Sequence, residues 1–168
     1  MRSASVKEIK DELAALPHRE LVALLQRLAR FKQENKELLT YLLFESKDLD
    51  GYLTAVRQEM LEGMHDIRPR QAWLAKKTIR KTLRIAMKHV RLSASRQAEA
   101  DLLIHFLRLV VDSGIDLSAN PVVLNLCHKQ VRKAWAAIEA LHEDLQFEYR
   151  QAVERLEAVL PAAADRAR

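Results

Sequence analysis

The sequence predicts an all-α fold, about seven helices in an antiparallel bundle or a short stack of αα-hairpins, on three observations. Gly (3) and Pro (4) are scarce among 168 residues, so little interrupts a helix. Runs of Val, Ile, Thr and aromatic residues long enough for strands are absent. Apolar residues instead recur three and four positions apart along most of the chain. No consensus of about 34 or 40 residues recurs in register, which makes a HEAT-like solenoid the second choice of architecture.

Ser5-Val6-Lys7-Glu8 has the spacing of a capping box and opens a first helix over residues 6–16. Pro17 ends it and can start the next, along which Leu21, Leu24, Leu25, Leu28 and Phe31 hold one stripe. "ENKELLTYLLFE" follows as a continuation or as a new helix capped at Asn35. Its apolar residues, 38, 39 and 41–44, point in nearly every direction, so the sequence places the centre of the core here. Asp48 or Asp50 with Gly51 punctuates the chain. Leu49, Tyr52, Leu53, Val56, Met60 and Met64 then mark a fourth helix ending near His65.

A turn at Pro69 leads to a helix over residues 70–92. Ser93 and Ser95 are candidate caps for another over 96–112, closed by Gly114. Asn120-Pro121 opens a segment reaching about residue 160, in which Cys127, Trp135 and His142 fall on the apolar stripe. Forty residues at about 1.5 Å each exceed what a compact domain of this size accommodates, so a break is expected at 142–144. The expected organisation is one domain over 1–160 with a frayed tail over 161–168.

"LPHRELVALLQRLARFKQ" and "ENKELLTYLLFE" resemble a small bacterial family of all-helical proteins of unknown function. The resemblance covers about the first 65 residues and implies a bacterial, cytoplasmic protein. It implies no activity. Two further features agree with the cytoplasm. Cys127 is the single cysteine and cannot form an internal disulfide, and no charged leader precedes an apolar segment. The apolar stretches 38–44 and 102–111 are far shorter than the roughly 20 residues of a transmembrane helix.

Charge is the main functional clue. Residues 68–97 contain ten Lys or Arg, one His and no acid. Removing those ten cations from the 28 of the chain leaves 18 against 23 acids, so the remainder carries −5 while the whole carries +5. At about 100° per residue, Arg70, Lys76, Lys77, Arg80, Lys81, Arg84, Lys88 and Arg91 share one face, with Trp73 inside the same sector. Ala72, Ala75, Ile79, Leu83, Ala86 and Val90 face the opposite way as a buried stripe.

That face fits an acidic protein or a second copy of the chain first. Nucleic-acid phosphates are the alternative, with Trp73 available for stacking, and an anionic membrane surface comes third. The plainer account is neutralisation from within, by Glu59, Glu62 and Asp66 or by Glu139, Glu143 and Asp144. No helix-turn-helix glycine or zinc-ligand pattern points to a recognised nucleic-acid fold.

An enzymatic reading has less to stand on. Glu62–His65 and Glu139–His142 repeat the Glu-x-x-His spacing of di-metal bundles of the ferritin type, but Glu62 and His65 point away from the apolar stripe of their helix. Asp101 and His105 form an ordinary helix-face pair. Ser93, Ser95 and Ser118 fall in turns, and no nucleophile elbow or phosphate-cradling glycine loop occurs. The expectation is a non-enzymatic interaction module without cofactor or metal.

Overall fold

Side-chain caps open four of the eight α-helices in the computed structural model, which describes residues 2–162. Ser5 Oγ accepts from the Glu8 amide while the Glu8 carboxylate accepts from the Ser5 amide, closing the capping box of α1 (Val6–Ala15). Pro17 precedes α2 (His18–Phe31), and extended Lys32 separates it from α3 (Gln33–Thr40). Asn35 therefore lies inside α3 instead of capping it. Its side chain donates to the Leu28 carbonyl at 3.0 Å and satisfies an acceptor at the end of α2. A π-helical turn, Tyr41–Glu45, follows.

Asp48 caps α4 (Leu49–Met64) by accepting from the Gly51 amide at 2.9 Å, which decides between the two aspartates the sequence offered. α5 (Ala72–Ser93) begins two residues later than expected. The Gln71 amide donates to the Arg68 carbonyl and closes a turn that holds Arg70 outside the helix. Ser95 caps α6 (Arg96–Asp112), and Gly114, at φ 70°, takes the left-handed conformation that ends it. α7 (Pro121–Glu139) and α8 (Glu143–Val159) are separate helices. The expected break is present, and its agent is His142, an exposed N-cap accepting from the Asp144 amide. The core position expected for His142 is thus corrected: the helix ends before the imidazole reaches the stripe.

The described residues form an all-α structure in two compact units, Met1–Glu45 and Ser46–Arg168. Of the tail expected over 161–168, residues 163–168 lie outside the described residues. In the larger unit α6 is the centre of a helical bundle, packed against α4, α5, α7 and α8. Ala98, Ala100, Leu102, Leu103, Ile104, Phe106, Leu107 and Val110 of α6 are all buried. Ala75, Ile79, Thr82 and Ala86 face inward from α5, and Val123, Leu124, Cys127, Val131, Ala134 and Ile138 from α7.

The core is therefore centred on α6 and not on residues 38–44. Of those residues only Tyr41 is buried, while Leu38, Leu42, Leu43 and Phe44 are exposed. Apolar residues around a whole helix show that it needs neighbours on every side; within its own unit α3 packs chiefly on α2 and on the turn that follows it. Trp135 is likewise half-buried: its ring lies at the α7–α8 seam, and Nε1 donates to Glu157 at 3.1 Å.

A candidate interaction face on the basic helix

Of the stripe expected on α5, Ala75, Ile79 and Ala86 are buried, joined by Thr82, while Leu83 and Val90 are half-buried and Ala72 is exposed. The Thr82 hydroxyl is satisfied by the Thr78 carbonyl one turn back, which lets a polar residue be buried without a cross-helix partner. This leaves the opposite face to the cations. Arg70, Trp73, Lys77, Arg80, Lys81, Arg84 and Arg91 are exposed, and Lys76 and Lys88 half-exposed.

Lys76, Arg80, Arg84 and Lys88 follow one another at intervals of four, a ladder of like charges on successive turns. Lys77 and Lys81 form a second rung beside it. Among the described residues, Arg70, Lys76, Arg80, Lys81, Arg84 and Arg91 make no ion pair. Of the acids of the preceding helix, Glu59 reaches α5 but meets His89, at 3.1 Å, and Glu62 accepts from Gln58. Asp66 lies against His65, and Asp144 against His142.

Trp73 is 71% exposed at the N-terminal end of the ladder, with Lys77 Nζ 5.7 Å from its ring centroid. An ammonium over an indole face contributes about 0.5–1 kcal/mol at an exposed site and steadies the ring in an outward pose. Of the nine residues singled out in the sequence, eight are on α5 and Arg70 lies in the turn before it.

A second polar feature was not legible as a site. α6 is the most buried helix, yet Asp101, His105 and Arg108 run down one side of it. They line a cleft of about 220 Å³ with Arg57 of α4 and with Glu148 and Tyr149 of α8. Asp101 turns to Arg57, at 2.8 Å, instead of pairing with His105. Burial pushes the Asp101 carboxyl above its ordinary range, and the Arg57 charge opposes this only in part. Burial likewise lowers the His105 imidazole, whose buried Nε2 has no hydrogen-bond partner among the described residues. The Tyr149 phenol is raised, first by burial and then by the Asp101 charge. The signal in the sequence was the 101–105–108 polar stripe within an otherwise apolar helix.

No family model, curated protein or solved structure matches this chain. The resemblance of the first 65 residues therefore assigns no family, and function rests on the geometry.

That geometry separates the Glu-x-x-His residues from the bundle interior. Glu62, His65, Glu139 and His142 are all exposed, and among the described residues no three His, Cys, Asp or Glu side chains cluster to hold a metal ion. Cys127 is buried, and loss of water pushes its thiol up to about 11, which makes it a poor nucleophile. No helix among the described residues is long and apolar enough to cross a membrane.

Proposed function

We propose that this chain is a non-enzymatic helical interaction module that presents the α5 face to an acidic protein surface, a second copy of the chain included. The observation that carries the reading is the ladder Lys76–Arg80–Arg84–Lys88. Like charges at this spacing cost stability, about 0.2–0.5 kcal/mol per pair, and among the described residues Lys76, Arg80 and Arg84 make no ion pair that would offset it. Exposed helix positions accept glutamate equally well, yet residues 68–97 hold none. Potential concentrated in this way raises association rates with acidic surfaces and disfavours basic ones.

The exposed Trp73 beside Lys77 favours a second reading, sequence-nonspecific binding of nucleic acid, in which a base stacks on the indole and the ladder follows the phosphates. Fluorescence anisotropy separates the two. Labelled single-stranded RNA, duplex DNA and an acidic peptide are each titrated with the protein and with Arg80→Glu/Arg84→Glu, at low and near-physiological salt. Binding of the peptide alone, lost in the variant, supports the first reading. Binding of RNA or DNA that falls steeply with salt and weakens in Trp73→Ala replaces it with the second. Indifference to all three at low salt overturns both.

A further inference from the structure

α1 and α2 bury none of their residues. On α2, Leu24, Leu25, Leu28 and Phe31 are 40%, 47%, 51% and 74% exposed. They recur at three- and four-residue spacing, so they form one continuous stripe and not scattered single residues. On α1, Val6, Ile9 and Leu13, also exposed, repeat the pattern. A unit of 45 residues is near the lower limit for a core of its own, and among its described residues this one buries Tyr41 alone.

The size and charge of the surface indicate what covers it. Scaled from full side-chain areas of about 150–200 Å², the exposed apolar area of α1 and α2 is on the order of 600–700 Å². One partner of a standard interface contributes about 800 Å². Residues 2–45 carry eight Lys or Arg and seven acids, so two copies meet without net repulsion. α1 carries Glu8, Asp11 and Glu12 against Lys7 and Lys10, a balance of −1, and α2 carries Arg19, Arg27 and Arg30 against Glu20, a balance of +2. An isologous pair brings the α1 of one copy to the α2 of the other and matches these charges at its rim. A headgroup-binding surface would carry cations on both helices; α2 has them in Arg19, Arg27 and Arg30, but α1 sets Glu8, Asp11 and Glu12 against its two lysines.

We infer that the stripes of α1 and α2 form a homodimer interface, independent of the α5 face. The test is sedimentation velocity of the full chain over a wide concentration range, with Leu25→Glu/Leu28→Glu and the milder Leu28→Gln/Phe31→Gln. The expected wild-type mass is twice 19.3 kDa, insensitive to salt. The Glu variant sediments as a monomer with unchanged helical circular dichroism, and the Gln variant shows a dissociation constant raised at least about tenfold, equivalent to about 1.4 kcal/mol.

A wild-type monomer at every concentration overturns the inference, as does a dimer that persists in both variants. Dissociation by salt or by Arg80→Glu/Arg84→Glu moves the interface to α5 and overturns it as well. Capture of a monomeric wild type by phosphatidylcholine–phosphatidylserine vesicles assigns the stripe to a lipid surface instead.

Discussion

The Arg57 guanidinium of α4 reaches both oxygens of the Asp101 carboxylate of α6, at 2.8 and 3.0 Å, across the seam beside His105. The pair is unequal: the Asp101 side chain is 15% exposed and that of Arg57 36%. Arg57 also donates to Thr54 and keeps access to water, whereas Asp101 depends on Arg57 for its countercharge.

Removing Arg57 should therefore cost more than neutralising Asp101. Arg57→Ala leaves a desolvated carboxylate without its partner, about 1–3 kcal/mol at pH 7, while Asp101→Asn keeps an acceptor and costs less. Burial makes Asp101 hold its proton more tightly when folded, so its ionised form opposes folding. That opposition is absent in acid and grows as the pH rises from the ordinary value near 3.8 through the raised folded one. Without Arg57 the folded value rises further. The Arg57→Ala deficit, read from urea midpoints, should accordingly be largest at neutral pH and shrink in mild acid. An equal deficit at both would show that the guanidinium acts by packing alone.

The α5 ladder makes a prediction of opposite sign. Arg84→Glu turns two repulsive i,i+4 contacts, with Arg80 and Lys88, into attractive ones and should stabilise the protein by about 0.5–1.5 kcal/mol at low salt. The gain should fall as salt screens exposed charges beyond a Debye length of about 10 Å at 0.1 M. Thermal melts of both proteins in low and high NaCl measure it. Destabilisation would show that Arg84 is already held by an acid.

Capping was the most legible part of this fold, because it depends on neighbours in sequence. Ser5 with Glu8, and Ser95 before α6, act as their spacing implies, and the grouping of the seven α5 cations with Trp73 follows from the 3.6-residue period, whereas Arg70 falls in the turn before the helix. The centre of the core was not legible. Residues 38–44 and α6 are similarly apolar, and what separates them is the number of helices packed against each, a property of the fold that no window contains. The cleft beside His105 was hidden for the same reason. Asp101 and His105 share one side of α6, but Arg57 and Tyr149 reach them only once α4 and α8 have docked.

Ala94, at the C-terminal end of α5, has φ 47° and ψ 26°. It is the one non-glycine residue with positive φ among the described residues. Its Cβ is crowded against the following carbonyl in this conformation, a cost of roughly 1 kcal/mol that glycine avoids. Ala94→Gly gives part of that back through the freer unfolded chain. The net expectation is a gain of about 0.5 kcal/mol, seen as a higher urea midpoint with the same slope. A lower midpoint would mean that the Ala94 methyl contributes packing that outweighs the strain.

Cys127 offers a direct measure of how often the bundle opens. It is fully buried on α7, and its thiol is pushed up to about 11, so near pH 8 both access and thiolate are scarce in the folded state. Ellman's reagent should react with the native protein at least about a hundredfold more slowly than with the urea-unfolded chain. Phe106→Ala removes a fully buried ring from the central helix, at a cost of about 3–5 kcal/mol. When reclosing outpaces modification, the reaction rate follows the open population, so this variant should react about 100-fold faster or more. Equal rates in the two proteins would show that Cys127 is reached by a local opening of α7 that leaves Phe106 packed.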